Sequence, residues 1–270
     1  LFGSTTPTVA NFTVTGSQTL VEGNNYFWLA YNVASAATSA NLIDGECIDL
    51  TVGSLQTPTV SAPSGNKSIL GAMSGTYAVG ASQTENGSAF TKLTTAIADL
   101  NLRGVSGAVS FALQSDYTSA SESFPLTINA VAGASGANTI TIKPAATVTA
   151  TISGSSSSSI FKLNGADYVI IDGSNNGSTS RNLTISNSST STSSGILWIA
   201  SATASDGATN NTVKNCIITG NASTTTLMGV FMGGTSSIST TTSALIDNAT
   251  NTIQNNQISL IQYGVFVRDV

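Results

Sequence analysis

NNTVKNCIITGN, residues 210–221, returns forty residues later as TNTIQNNQISL, residues 250–260, with most letters changed and their chemical types kept. Asn211, Thr212, Val213, Asn215, Ile218 and Thr219 are matched by Asn251, Thr252, Ile253, Asn255, Ile258 and Ser259. Self-similarity at a period of some tens of residues marks a repeat architecture, in which one unit cannot bury its apolar face until the next stacks on it.

Upstream, from residue 108, the chain is a succession of short β-prone runs such as NTITIK, TVTATIS, IFKLN, DYVIID, NLTIS and GILWIA, separated by Ser/Thr/Gly/Asn loops. They sort into three columns: Ile140, Val169, Val213 and Ile253; Ile152, Ile185, Ile218 and Ile258; Ile160, Ile196, Val230 and Val265. Steps within the second column are 33, 33 and 40 residues, and within the third 36, 34 and 35. Three strands per repeat in constant order, without the two-residue turns of a meander, describe a coil. The fold class expected is all-β, with a right-handed parallel β-helix over 69–270, its hand taken from the general preference for right-handed crossovers. Each coil then rises ~4.8 Å above the last. Like stacks on like: Val213 over Ile253, Ile218 over Ile258, and Asn215 over Asn255, whose amides form a ladder in which each donates to the next.

One helix is expected. In SAFTKLTTAIADLNLRG, Phe90, Leu93, Ile97 and Leu100 fall at i, i+3, i+7 and i+10, an apolar stripe over about 89–102. It would cap the first coil and cover strand edges that otherwise recruit another strand. Before it, VANFTVTG, QTLVEGNNYFWLAYNV and ECIDLTVGS read as strands. In NYFWLAYNV, Phe27, Leu29, Tyr31 and Val33 alternate with Tyr26, Trp28 and Ala30, which predicts a central strand buried on both faces. A small β-sandwich over 1–68 is expected, closed by the Pro58, Pro63 and Gly65 linker.

GNNYFWLAY, followed by LIDGECIDLTVGS, resembles the small N-terminal β domain found beside bacterial neuraminidase repeats, an accessory module that brings no catalytic residues. The stretch from TITIKPAATVTATISG to DYVIIDGSNNGSTSRNLTISN resembles the pectate-lyase-like parallel β-helix repeat and is similar to β-helical parts of large bacterial surface proteins exported by the type IX route. Such repeats specify a fold better than a function. The sialidase reading fails on its own motif: TASDGATN at 203–210 has the wrong Ser–Asp–Gly spacing for an Asp-box and no closing Trp.

Composition narrows the chemistry. Only 8% of the 270 residues are charged, the net charge is -5, and no Lys/Arg cluster offers a footprint for phosphate backbones, so no nucleic-acid partner is expected. No apolar run reaches the ~18 residues of a membrane span. Hydroxyls and amides in place of charges suggest the outside of a cell, and the resemblance implies a bacterial cell surface or a secreted protein. The chain opens at LFGS and closes at VFVRDV within a strand, and further coils or domains are expected beyond Val270. The absence of histidine removes Ser-His-Asp triads, Cys-His pairs and HExxH zinc sites. Cys47 and Cys216 lie in different domains and are not expected to pair; Cys216 reads as a small core residue.

Polysaccharide-cleaving β-helices gather carboxylates on one outer face, as acid and base or as a calcium cage. Asp167, Asp172, Asp206 and Asp247 are the candidates. Asp167 and Asp172 flank DYVIIDG, where Asp commonly builds a turn. Asp206 and Asp247 occupy corresponding loops before NTV and NTI and form the candidate Ca2+ or catalytic pair; no other cofactor is indicated. If Ile196, Val230 and Val265 point inward, alternation sends Leu197, Phe231 and Phe266 outward as an apolar face for a sugar or protein partner, unless loops 201–210 and 235–250 fold over it. Trp198 then points inward. The function expected is a non-enzymatic extracellular structural or adhesive module, binding polysaccharide or a cell-surface protein; the alternative is a polysaccharide lyase or glycosidase acting on the β-helix face or downstream of residue 270.

Overall fold

The computed structural model describes residues 3–6, 11–34, 37–62 and 64–270; Val9 and Ala10 of VANFTVTG and the linker's Pro63 lie outside the described residues. The chain divides into two compact units, Leu1–Ile69 and Leu70–Val270.

In the first unit the described strands are short: β1 (Leu42–Ile43), β2 (Leu50–Val52), β3 (Ser54–Gln56) and β4 (Lys67–Ser68). They form two antiparallel pairs, β1 with β4 and β2 with β3. The two-layer sandwich expected over 1–68 is not seen among these residues. NYFWLAYNV carries no strand assignment, and Trp28 is 85% exposed. Alternation selected residues of strand-forming type, but among the described residues no strand pairs with the run, and Tyr26, Phe27, Trp28, Leu29, Tyr31 and Val33 all stay exposed.

The second unit is a β-solenoid of about six turns. It begins with β5 (Met73–Val79), β6 (Ala89–Phe90), the helix α1 (Leu93–Arg103) and β7 (Val105–Leu113). The coils continue through β8 (Leu126–Asn129), β9 (Ile140–Pro144), β10 (Ala150–Gly154), β11 (Phe161–Asn164), β12 (Val169–Asp172) and β13 (Leu183–Asn187). They close with β14 (Ser194–Ala200), β15 (Thr212–Lys214), β16 (Cys216–Thr219), β17 (Thr226–Gly233), β18 (Thr252–Gln254), β19 (Gln257–Ser259) and β20 (Tyr263–Arg268). Three parallel sheets result, in the orders β18-β15-β12-β9-β7-β5-β6, β20-β17-β14-β11-β8 and β10-β13-β16-β19.

The second column is in register throughout, Ile152 against Ile185, Ile218 and Ile258. Val213 pairs with Ile253, but the strand before it presents Ile171 rather than Val169, which pairs with Ile140. The slip is two residues, so both valines still face the core. The third column slips by one. Leu197, not Ile196, pairs with Val230, because the β14–β17 ladder breaks register between Ser194 and Gly195. A one-residue slip exchanges the faces of a strand, and this one decides the reading of the outer surface.

Corners repeat as faithfully as strands. Tyr168, Asn210 and Thr250 precede equivalent strand residues and all hold positive φ, at 58°, 56° and 58°; Asn215 and Asn255 do so at the next corner, at 57° and 51°. Asparagine tolerates the left-handed region better than most residues. Its amide also bridges coils. Asn255 Nδ2 donates to Asn215 Oδ1 at 2.8 Å, and Asn215 Nδ2 donates to Asp172 Oδ1 at 2.8 Å, so the expected ladder runs through three coils and ends on a carboxylate. Elsewhere the amide substitutes for a missing backbone bond. Asn211 Oδ1 accepts from Val169 N–H and its Nδ2 donates to Ala166 O, while Asn256 accepts from Cys216 N–H and donates to Val213 O.

Helix α1 starts three residues later than the start of Phe90's stripe. Phe90 lies on β6 beside Val79, and the helix buries Leu93, Ala96, Ile97 and Leu100. Lys92 offers no side-chain cap; instead Glu122, from the loop after β7, accepts from Leu93 and Thr94 N–H at 2.6 and 2.7 Å, which also suits the helix dipole. Gly104 ends the helix with φ 66°, and a Cβ there would meet Ala132 O at 2.6 Å. The strand edges at this end are closed by side chains. Asn101 of α1 donates to Thr127 O and accepts from Asn129 N–H on edge strand β8, and the Ser119 hydroxyl does the same to Thr151 O and Ser153 N–H on edge strand β10. A carbonyl and an N–H two residues apart are what a parallel neighbour would engage, so each side chain stands in for one residue of a missing strand.

Candidate functional site

The candidate carboxylates divide between structure and exposure. Asp172, at the end of β12, accepts from Ser174 N–H at 2.9 Å as a turn-former, takes the Asn215 amide, and lies 3.4 Å from Lys214 Nζ. Asp167 Oδ1 accepts both the N–H and the hydroxyl of Thr209, at 2.6 and 2.7 Å, tying one coil to the next. Neither is left free for a substrate.

Asp206 and Asp247 sit in adjacent loops, as their corresponding positions imply: Gly207 lies against the Asp247 carbonyl, and Ala208 N–H donates to Asn248 Oδ1. The carboxylates themselves have different neighbours. Burial pushes Asp206 above the usual carboxylate range, and the charge of Asp167 adds to it. Asp247 Oδ1 accepts from Val270 N–H at 3.2 Å. Among the described residues, no group of three or more His, Cys, Asp or Glu side chains is placed to hold a metal ion. Cys216 is buried in the main core, and burial, with the Asp172 charge, pushes its thiol up to about 12.

The outer face of the sheet containing β14 carries a different ladder from the one expected. Because of the register break, Leu197 and Ile199 pack in the main core, and Trp198 faces the other way with Phe231 and Phe266. In-register pairing runs Thr127, Lys162, Trp198, Phe231, Phe266 across five coils. Lys162 Nζ lies 4.2 Å from the Trp198 ring centroid, a cation–π contact, and burial lowers its pKa. Trp198 stacks on Phe231 with centroids 6.2 Å apart and donates from Nε1 to Gly233 O at 2.7 Å. The inward position expected for Trp198 and the outward one expected for Leu197 are thus exchanged. The extra residue is Leu227, which the pairing skips between Thr226 and Met228; Gly229 in the same strand held the available signal, since glycine inside a strand pattern marks a bulge.

This ladder is largely covered. Ile238 and Ala244, from the loop after β17, are buried, and Ile238 packs with Trp198, Met228 and Phe231 as a second core outside the coil. The loop is fastened by Leu245 N–H to Ser201 Oγ and Ala244 N–H to Arg268 O. Phe266 is half-buried and Tyr263, 5.3 Å from it between centroids, is exposed. Of the expected face, then, Leu197 and Phe231 are inaccessible and Phe266 is partly open.

The second unit is a parallel β-solenoid whose polar side chains at the corners bond coil to coil. Comparison of the chain with protein-family models, with characterised proteins and with solved structures finds no match in any of the three. No helix among the described residues is long and apolar enough to cross a membrane.

Proposed function

We propose that this chain is a non-enzymatic extracellular module of a bacterial surface or secreted protein, its solenoid serving as a stiff spacer or adhesive segment. One observation carries the reading: of the four candidate carboxylates, Asp167 and Asp172 are already spent on holding coils together, as are the corner asparagines. Asp167, Asp172, Asn211, Asn215, Asn251 and Asn256 each bond a neighbouring coil. A polysaccharide-cleaving face needs paired carboxylates reaching outward toward the sugar. The sparse charge and Ser/Thr-rich loops fit an extracellular setting.

The test is a glycan array combined with an assay for new reducing ends or unsaturated products on acidic and neutral polysaccharides. No turnover is expected on any of them. Product from a single polysaccharide, abolished by Asp206→Asn or Asp247→Asn, would refute the module reading in favour of an enzyme.

A further inference from the structure

Three Asn-Gly dipeptides occur, Asn86-Gly87, Asn164-Gly165 and Asn176-Gly177. Glycine after asparagine removes the side chain that would screen the asparagine Cγ from the next backbone nitrogen, so each pair is open in principle to attack of that nitrogen on the amide. The structure treats the three differently. Asn164 ends β11; its Nδ2 donates to Asn129 Oδ1, and Gly165 N–H is committed to Ala200 O at 2.8 Å. Asn86 accepts two backbone N–H groups, from Ser88 and Ala89, and Gly87 is held through its carbonyl by Arg103.

Asn176 is exposed and its amide oxygen is surrounded. Ser178 N–H, Ser178 Oγ, Ser180 Oγ and Ser174 Oγ lie 3.0, 2.6, 3.1 and 2.9 Å from Oδ1. A backbone N–H can only donate, so the atom facing Ser178 is the oxygen and not the nitrogen. An amide oxygen has two lone pairs; four donors around it suit an atom bearing negative charge. The donors are held from outside the turn. Asn215 Nδ2 donates to Ser178 O, Asn255 Nδ2 to Thr179 O, and Asn175 Nδ2 to Val148 O. The corner ladder that stacks the coils thus also fixes this turn. Gly177 has φ +75°, and open space where a Cβ would stand.

We propose that residues 174–180 form an autocatalytic deamidation site at Asn176. Gly177 N, its proton taken by hydroxide, attacks Asn176 Cγ; the new C–N bond pushes an electron pair onto Oδ1, where the serine donors hold the oxyanion. Collapse breaks the Cγ–Nδ2 bond, and Nδ2, protonated by water, leaves as ammonia. Water then opens the cyclic imide at either carbonyl, giving aspartate or isoaspartate. No oxidant or reductant is involved, and solvent water is the co-reactant. Donors placed in advance where charge develops lower the barrier as an oxyanion hole does. The aspartate product, a carboxylate, fits the four-donor nest better than the amide it replaces.

The experiment incubates the full chain in mildly alkaline buffer and follows all three Asn-Gly peptides by mass spectrometry, reading the NH2-for-OH exchange. The same chain unfolded in denaturant is followed in parallel. Folded, Asn176 is expected to react about 10-fold faster than Asn164 and measurably faster than Asn86, and unfolding should bring the three rates together. Ser178→Ala combined with Ser180→Ala should slow Asn176 by about 3- to 10-fold, less than for a water-excluded oxyanion site, and leave Asn86 unchanged, while Ser178→Thr, which keeps a hydroxyl, should retain the rate. Reaction at Asn176 no faster than at Asn86, or a rate indifferent to loss of the two hydroxyls, would overturn the proposal. The unchanged Asn86 rate and circular dichroism identify a variant that has kept its fold.

Discussion

Gly173→Ala should be among the most damaging single-methyl additions this chain can suffer. Gly173 follows Asp172 at the corner below Asn215, and a Cβ there would collide with the Asn215 carbonyl oxygen, with its carbon at 2.6 Å and with Cys216 Cα at 3.1 Å. All of these are backbone atoms, so no side chain can swing aside. Coil spacing is fixed at ~4.8 Å by ladders on both sides of the corner. Relief requires local separation, which strains Gly173 N–H to Lys214 O at 2.9 Å, Asn182 N–H to Gly173 O at 2.7 Å, and the Asn215–Asp172 bond beside them. At about 1 kcal/mol net per hydrogen bond, with overpacking of similar size, the cost comes to about 3–5 kcal/mol. For a unit of this length that lowers the melting temperature by roughly 8–15 °C. Thermal and urea unfolding followed by circular dichroism would read it. Gly136→Ala is the control, since its nearest atom is Tyr168 Cε1 at 3.9 Å; it should stay within about 0.5 kcal/mol of the parent. Equal melting of the Gly173→Ala variant and the parent would show that the coils are not stacked at this corner.

Phe231→Ala should cost about 3–5 kcal/mol, and Ile238→Ser should leave the fold intact while shifting Trp198 fluorescence to the red; an unshifted spectrum would mean that the loop does not cover the ladder. Asp206 has a folded pKa raised by burial and by Asp167, so its contribution is most favourable at low pH, where it is protonated, and is lost as pH rises through the carboxylate range. Asp206→Asn should therefore raise the melting temperature at neutral pH and give no gain at acid pH. Glu85 behaves oppositely. Burial raises its pKa, but hydrogen bonds from Thr91 and Thr95 and the Lys92 charge outweigh it, so its folded pKa is lowered, its contribution is present at neutral pH, and it is lost as pH falls through the folded value. Protection against hydrogen exchange at the start of α1, taken relative to the intrinsic rate at each pH, should fall selectively in acid, and Glu85→Gln should blunt that response. Asn101→Ala should speed exchange at Asn129 N–H, and Ser119→Ala at Ser153 N–H, with each effect confined to its own edge strand.

How much of this was readable from the letters depended on what held each element. The second column was legible because Ile152, Ile185, Ile218 and Ile258 do one job at one spacing. Asn215 and Asn255 were legible because positive φ and coil-to-coil bonding both select asparagine. The third column was misread by one residue because pairing steps from Ser194–Thr226 to Gly195–Met228: the extra residue, Leu227, reads as an ordinary strand letter yet exchanges the faces of everything after it, Leu197 and Trp198 included. NYFWLAYNV shows a different limit. Alternation reports which residues suit a strand, whereas burial needs a partner layer, and the described residues of that unit supply none. The serine nest at Asn176 was hidden for a further reason: Ser174, Ser178 and Ser180 look like loop filler until the turn brings their hydroxyls onto one oxygen.

Parallel stacking in register is tested most directly by selective methyl labelling of isoleucine, followed by measurement of through-space contacts between the labels. The account predicts a chain of cross-peaks, Ile152 to Ile185, Ile185 to Ile218 and Ile218 to Ile258, with none between Ile152 and Ile258. A missing Ile218–Ile258 contact, or a direct one between Ile152 and Ile258, would contradict it.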